Sequence, residues 1–87
     1  DGNYPNPFGE QTTIHFTLPE ASEVTVSVFD ITGRKVATLV NQSLVAGAHD
    51  VQWNGRADSG RRLASGVYFY RIEAGDFSQT RRMTLVR

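Results

Sequence analysis

The chain has 87 residues, of which 39% are hydrophobic, and it contains no cysteine. Nine Lys and Arg residues balance nine Asp and Glu residues, so the formal net charge is zero. This composition suits one small domain with a single core; it excludes disulfides and zinc–thiolate centres, and it argues against a disordered tail and against a dedicated nucleic-acid binder. No stretch approaches the roughly 18 apolar residues of a membrane span, so we expect no transmembrane segment.

The first eleven residues differ from the rest because Pro5 and Pro7 occupy alternate positions. Proline disfavours helical geometry in the residue before it, so residues 1–11 are expected to form an extended, polyproline-like lead-in. Tyr4 and Phe8 are expected to pack on the flank of the domain. The alternative is that the segment is a peptide ligand for the aromatic groove of a partner.

Alternation of apolar and polar residues then predicts six strands. They are Thr13–Leu18, Glu23–Asp30, Arg34–Val40, Ala48–Trp53, Val67–Ala74 and Phe77–Val86. Asn41–Gly47 and Asn54–Gly66 have no period and are expected to be loops, the second with at least one tight turn. Six or seven short strands with regular turns indicate an all-β fold, an antiparallel sandwich of immunoglobulin or fibronectin type. Residues 1–87 are therefore expected to form a single β-sandwich domain.

The strand patterns also assign faces. Val36 is the surest core residue of the third predicted strand, and Trp53 points inward from the fourth. In the last strand, Met83 and Leu85 are expected in the core, which turns Arg82 outward. Arg82 is then either a bidentate ligand for carboxylate or phosphate, or one of the charges that keep an edge strand from aggregating.

Catalytic signals are weak. His15 and His49 are the only imidazoles, and no Gly-x-Ser-x-Gly elbow is present. Glu20 and Glu23 flank a turn in which carboxylates stay solvated, whereas a catalytic acid needs a cleft that shifts its pKa. We therefore expect no catalytic residues, no enzyme activity and no cofactor.

One loop offers oxygen atoms to a metal ion. Asn54, Asp58 and Ser59 stand among glycines, and oxygen ligands suit calcium. The spacing is not that of an EF-hand, and Asp-Ser-Gly is common in turns, so we expect no metal site and keep weak calcium binding as the alternative.

Sequence motifs in a consistent order cover nearly the whole chain. They are Asn3-Tyr4-Pro5-Asn6-Pro7-Phe8, Thr12-Thr13-Ile14, Val26-x-Val28-Phe29-Asp30, Gly33-Arg34, Trp53-Asn54-Gly55, Asp58-Ser59-Gly60, Ser65-Gly66-Val67-Tyr68, Met83-x-Leu85 and the basic residue Arg87. In this order they resemble the type A C-terminal sorting domains of the type IX secretion system of Bacteroidetes-like bacteria. The chain is also similar to the immunoglobulin-like domain of the flagellar hook-capping protein. It departs from the sorting family at Gly9-Glu10, where a second Asn-Pro is common, and at Arg87, where lysine is usual.

The resemblance implies a non-catalytic address label. Such domains lie at the C-terminus of a larger secreted protein, which is their covalently linked N-terminal cargo, and the abrupt start of this chain suggests a fragment of such a protein. The outer-membrane translocon and sortase recognise the folded domain, and the cargo passes from the periplasm across the outer membrane to the cell surface, often with removal of the domain.

Residue roles follow from the resemblance as expectations. Recognition is expected along the edge formed by Arg81–Arg87, by addition of a strand to a partner sheet, while the Pro5–Pro7 segment holds a cleavable junction away from the sandwich. The sorting-recognition residues are expected to be Gly66, Tyr68, Arg82, Met83, Leu85 and Arg87. The structural motif residues are expected to be Tyr4, Pro5, Pro7, Phe8, Gly33, Trp53, Gly55 and Gly60.

Two other functions stay open. Outward-facing Phe29, Phe69 and Phe77 would suit a carbohydrate-binding module attached to a secreted glycanase. A passive structural spacer, as in the hook-cap resemblance, is the other alternative.

Overall fold

A computed structural model describes residues 2–87, so Asp1, the first residue of the expected lead-in, lies outside the described residues. The described chain forms seven strands. They are β1 (Gly2–Tyr4), β2 (Thr12–Leu18), β3 (Ser22–Phe29), β4 (Lys35–Leu44), β5 (Gly47–Trp53), β6 (Gly66–Ala74) and β7 (Phe77–Leu85). Within residues 2–87, no helix has the length and apolar character needed to cross a membrane.

The strands form two antiparallel sheets packed face to face. One has three strands in the order β1-β2-β5, and the other has four in the order β4-β3-β6-β7. The expected all-β immunoglobulin-like sandwich is thereby confirmed. Apolar side chains from both sheets fill the space between them, which is how a sandwich buries its two apolar faces. The buried hydrophobic residues are Phe8, Ile14, Phe16, Leu18, Val24, Val26, Val28, Ala37, Trp53, Leu63, Tyr68, Tyr70, Ile72, Ala74, Met83 and Leu85.

Trp53 lies at the aromatic centre of this core. Its ring centroid is 5.7 Å from that of Phe8 and 5.6 Å from that of Tyr68, in tilted and edge-on arrangements. Such geometries place the positive edge of one ring against the negative face of another. The indole Nε1 donates to the Arg56 carbonyl at 3.0 Å, so the one polar atom of the ring is paired. The predicted inward position of Trp53 is correct.

β4 differs from its prediction in length and in face. The expected loop Asn41–Gly47 is mostly strand. β4 continues to Leu44, and its residues from Asn41 onward pair with the first half of β3. β5 then begins at Gly47. Asn41, Gln42 and Ser43 are polar and exposed, so this part of β4 shows no apolar alternation, although Leu44 at its end packs against the core. Register shifts in the β3–β4 pair change which side chains of β4 point toward the core. As a result, Ala37 is buried, whereas Val36 is only partly buried.

The lead-in also differs from its prediction. It is not one polyproline-like strand on the flank, because Gly2–Tyr4 pairs with β2 and the chain then bends at Pro5–Pro7. Phe8 follows and forms a parallel bridge with Leu85 of β7. Proline has no N–H for a β-ladder, so the chain leaves one sheet where the prolines stand and joins the other at Phe8.

Candidate recognition site

The chain end on which recognition was expected is part of the core. Met83 and Leu85 are both buried between the sheets, whereas Arg82 points outward and is exposed, as the alternation predicts. Tyr68, directly opposite Met83 on β6, is buried as well. Three of the six expected recognition residues are therefore side chains on which the fold itself depends.

The lead-in occupies the outer edge of β7 at its C-terminal end. The Phe8 N–H donates to the Thr84 carbonyl at 3.0 Å, and the Val86 N–H donates to the Phe8 carbonyl at 2.8 Å. The side chain of Asn6 continues the contact, because its Oδ1 accepts from the Thr84 N–H at 3.0 Å and its Nδ2 lies 3.5 Å from the Arg82 carbonyl. We call the segment Asn6–Phe8 the strap.

The strap changes the expected geometry of recognition. The Pro5–Pro7 segment is not a free arm, because the chain pairs with β2 just before it and with β7 just after it. Its expected role in spacing a cleavable junction stays a prediction. A partner strand cannot pair with Thr84–Val86 while the strap is in place, and the stretch of the β7 edge outside the strap is Phe77–Thr80. Sequence reasoning missed Asn6, although an Asn between two prolines is the residue there whose side chain can bond a neighbouring backbone.

Arg87 forms a second tie at the chain end. Its backbone N–H donates to Ser65 Oγ at 2.8 Å, its Nε donates to the Leu63 carbonyl at 2.7 Å, and its Nη2 donates to the Gly55 carbonyl at 2.7 Å. Gly55 has φ +72°. Arg87 is exposed, yet it is bonded to the loop between β5 and β6 through both its backbone and its guanidinium.

Tyr68 and Gly66 begin β6 next to this tie. The Tyr68 hydroxyl donates to the Ala64 carbonyl at 2.7 Å, and burial, followed by the nearby charge of Asp30, raises the pKa of the phenol. Gly66 was expected to permit a close backbone approach, but open space surrounds the position that a Cβ would take there. No neighbouring atom therefore requires glycine at position 66, but its φ of +158° is a backbone conformation that residues with a Cβ rarely adopt.

The oxygens that the sequence offers to calcium accept hydrogen bonds from the backbone. Both carboxylate oxygens of Asp58 accept from the Thr38 N–H, at 3.1 and 3.2 Å, and the Asp58 N–H donates to the Val36 carbonyl at 3.0 Å. The side-chain oxygens of Asn54 and Ser59 accept from backbone N–H groups two residues further on. Asp58 therefore covers the free edge of β4, and these hydrogen bonds account for an acidic residue at this position without a metal.

The turn after β3 is built as its residues predict. The Gly33 N–H donates to the Asp30 carbonyl at 3.0 Å, and Gly33 takes φ +90°, which glycine adopts at no steric cost. The Asp30 carboxylate accepts from the Thr32 hydroxyl at 2.6 Å and from the N–H groups of Thr32 and Arg34. The Thr32 hydroxyl, with the Arg34 N–H next, lowers the pKa of Asp30.

The two histidines lie on β2 and β5 and have ordinary strand contacts. His15 Nδ1 is 2.5 Å from Asp50 Oδ1, directly across the pair of strands, and both side chains are more than half exposed. His49 Nε2 is 2.7 Å from the Val45 carbonyl, and its ring stacks on Phe16. The His15–Asp50 pair lies on a solvated strand face, which does not exclude water as a site for proton transfer requires.

The three outward phenylalanines do not form one platform. Phe29 and Phe69 are directly opposite on β3 and β6, but the Arg71 guanidinium covers Phe29 at 4.6 Å from the ring centroid. Phe77 is 50% exposed and lies five positions along β7 from Arg82, the partner of Phe69, or about 17 Å away. Stacking of one short glycan across all three rings is therefore not supported.

The chain is similar to known proteins both in sequence and in fold. A model of the FlgD Ig-like domain family matches residues 3–77. Among solved structures, PorZ, described as an essential bacterial surface component of the type-IX secretion system of Porphyromonas gingivalis, is 27% identical; the match covers 98% of this chain and 11% of PorZ, with TM-score 0.68. A search of curated proteins gave no match.

Two further solved structures share the fold. Dimeric latent PorU from Porphyromonas gingivalis is 21% identical over 97% of this chain and 9% of its own, with TM-score 0.78. FlgD from P. aeruginosa is 24% identical over 86% of this chain and 59% of its own, with TM-score 0.69. The chain thus spans about a tenth of PorZ and PorU and over half of FlgD.

Proposed function

This chain belongs to the FlgD Ig-like domain family, and from that premise we propose that it is a non-catalytic C-terminal sorting domain. It directs a covalently linked N-terminal cargo across the outer membrane to the cell surface by the type IX secretion system. Its partners are the outer-membrane translocon and sortase proteins, and it needs no cofactor.

One observation carries the proposal. The chain is 27% identical to PorZ over 98% of its length, and PorZ is described as a surface component of the type-IX secretion system. The match covers 11% of PorZ, which is the size relation expected of a module attached to a larger exported chain. The ordered motifs from Asn3 to Arg87 point to the same secretion system.

The proposal assigns two kinds of role to the expected recognition residues. Arg82 is exposed on the outer face of β7, and its guanidinium is available to a carboxylate of a partner. The other five residues maintain the folded shape of the chain end, which the machinery recognises; they are Gly66, Tyr68, Met83, Leu85 and Arg87. The machinery therefore recognises the folded domain rather than a flexible peptide.

A fusion experiment tests the sorting function. A reporter with a signal peptide is joined to residues 1–87 and expressed in Porphyromonas gingivalis, and surface-exposed reporter is measured by protease accessibility in intact cells. We expect the reporter at the surface or in the medium. The matched control carries the Ig-like domain of P. aeruginosa FlgD, which has the same fold and should leave the reporter in the periplasm.

The fusion also tests the rival function. If residues 1–87 leave the reporter in the periplasm as the FlgD domain does, the chain is a passive spacer and the proposal fails. A third fusion carries Leu85→Asp, which buries a charge in the core and unfolds the domain. Surface display of that variant at the wild-type level would show that the folded shape is not what is recognised.

A further inference from the structure

The outer face of the four-stranded sheet carries a row of four residues in which two phenylalanines lie between two cations. Phe29 on β3 is opposite Phe69 on β6, Lys35 on β4 is opposite Phe29, and Arg82 on β7 is opposite Phe69. Both phenylalanines are partly exposed, and both cations are exposed. We call these four residues the cationic–aromatic row.

Arg71 adds positive charge beside the row. Its guanidinium carbon lies 4.6 Å from the ring centroid of Phe29, within cation–π range. The nearest carboxylate oxygen to its Nε is Glu73 Oε1 at 3.7 Å, and this buried Nε has no hydrogen-bond partner among residues 2–87. Arg71 therefore holds its charge over an aromatic surface without a close counter-ion bond.

The cations of the row are not neutralised within the domain. Among the described residues, neither Lys35 nor Arg82 forms a salt bridge. Asp30 is the carboxylate at this end of the sheet, and its Oδ1 accepts three hydrogen bonds inside its own turn. Two cations of a chain with zero formal net charge thus lie in this row without a salt-bridge partner among the described residues.

A depression of mixed character lies next to the same rings. It has a volume of about 240 Å³, and its lining combines the apolar Phe29, Phe69 and Ile31 with Asp30, Gly33, Arg71 and Thr80. Ile31 is 71% exposed, although it is a large aliphatic side chain. The depression is large enough for one apolar side chain of a partner.

The spacing of the row sets the geometry of that partner. Neighbouring strands are about 4.8 Å apart, so Lys35 and Arg82, separated by three strand intervals, are about 14 Å apart. An extended chain rises about 3.3 Å per residue and points residues i, i+2 and i+4 to one side, so i and i+4 are about 13 Å apart. Acidic groups at i and i+4 would reach the two cations while the residue at i+2 meets the phenylalanines.

We propose that the cationic–aromatic row binds an extended segment of a partner protein that has acidic residues at i and i+4 and an apolar residue at i+2. Carboxylates pair with Arg82 and Lys35, and the apolar side chain enters the depression beside Phe69. A polyanion without apolar groups would leave the rings and the depression unused. The inference goes beyond the sorting function, because it concerns a surface that exists whether or not the domain directs export.

A defined peptide tests this surface. The probe is Gly-Glu-Ser-Leu-Ser-Glu-Gly, blocked at both ends, titrated into the ¹⁵N-labelled domain and followed by amide chemical shifts. We expect saturable shifts centred on Phe29, Phe69 and Arg82. The same peptide with lysine in place of glutamate should produce none, and no saturable shift with the acidic peptide would overturn the proposal.

Charge reversal distinguishes binding at the cationic–aromatic row from binding that depends only on the net charge of the domain. The double variant Lys35→Glu/Arg82→Glu should bind the acidic probe about tenfold more weakly and should now bind the lysine probe. The control Arg61→Glu/Arg62→Glu makes the same charge change in the loop before β6. Equal weakening by the two double variants would mean that net charge alone drives binding, which contradicts the proposal.

A polysaccharide is the competing occupant. Phe69→Ala should weaken binding of the acidic peptide, because it removes the apolar contact. Thermal melting checks that the variant is folded. Dextran sulfate serves as the second probe. If dextran sulfate binds the row, the peptide does not, and Phe69→Ala changes neither result, the surface belongs to an anionic glycan and the proposal is wrong.

Discussion

Gly55 and Arg87 are in such close contact that a Cβ at Gly55 would lie 2.5 Å from Arg87 Nη2. The same nitrogen donates to the Gly55 carbonyl at 2.7 Å, while Nε of Arg87 donates to the Leu63 carbonyl. The missing side chain at position 55 therefore makes room for the guanidinium that ties the chain end to the loop before β6.

Substitutions at these two positions should be coupled. Arg87→Lys should lower the free energy of unfolding by about 1 kcal/mol, because an ammonium group does not reproduce the planar fork that bonds two carbonyls. Gly55→Ala should cost about 1–2 kcal/mol for the left-handed backbone alone, and more because the guanidinium must move. Urea unfolding measures both, and Gly55→Ala should cost less in an Arg87→Ala background. Strict additivity would contradict the contact.

The strap should contribute far more to stability than its position near the start of the chain suggests. Phe8 is 2% exposed and Tyr4 is 76% exposed. Phe8→Ala should lower the free energy of unfolding by about 3–5 kcal/mol, because a cavity forms beside Trp53. Tyr4→Ala is the matched control and should change it by less than about 0.5 kcal/mol. Similar effects of the two variants would mean that the strap is not part of the core.

Asp58 should act through hydrogen bonds rather than through calcium. Asp58→Ala removes the acceptor of the Thr38 N–H and should lower the free energy of unfolding by about 1 kcal/mol. Addition of calcium should leave the melting temperature of the wild type unchanged, since the loop oxygens already have backbone donors. A rise in melting temperature with calcium that Asp58→Ala abolishes would restore the metal interpretation of this loop.

The two buried tyrosines should respond in opposite ways to loss of their hydroxyl groups. The Tyr68 hydroxyl donates to the Ala64 carbonyl, so Tyr68→Phe should cost about 1 kcal/mol. The Tyr70 hydroxyl is buried without a partner among the described residues, and burial raises the pKa of its phenol. Tyr70→Phe should therefore be neutral or stabilising, and a loss at Tyr70 as large as that at Tyr68 would contradict this prediction.

The turn after β3 should make stability depend on acid pH. The Thr32 hydroxyl and the Arg34 N–H hold the pKa of Asp30 below its ordinary value of 3.8. Because the pKa of Asp30 is lower in the folded state than in the unfolded state, its ionised carboxylate stabilises the fold above pH 3.8. This stabilisation is lost as the pH falls through the pKa of the folded state. Asp30→Asn should remove this component of the acid melting curve, whereas Asp76→Asn, at the β6–β7 turn, should preserve it. An unchanged acid limb in Asp30→Asn would contradict the role of this carboxylate.

The sequence predicts the central strands well because they are buried on one face along most of their length. Val24, Val26 and Val28 alternate with polar residues in β3, and every second residue of β6 from Tyr68 to Ala74 is buried, so periodicity and burial agree except at the buried Ser27. In β4 the register shifts at Val36 and Leu39 interrupt the alternation of the first half, and the polar run Asn41–Ser43 removes it from the second.

The ties at the chain ends were not predictable from local patterns. Asn6 and Thr84 are brought together by the sandwich as a whole, and no spacing in the sequence encodes their hydrogen bond. The recognition role expected of Arg87 stays a prediction. The partners of its guanidinium are backbone carbonyls, which every residue has, so the sequence does not reveal which of them it will bond.

The parallel bridge between Phe8 and Leu85 has a mechanical consequence. The strap and β7 run in the same direction there. A force that pulls the strap toward the N-terminus and β7 toward the C-terminus therefore acts along the length of both. The hydrogen bonds between them then share the load in shear instead of opening in succession. If a polypeptide joined before Gly2 were pulled against an anchor at the C-terminus, these hydrogen bonds would be loaded in shear, the direction in which they resist force best.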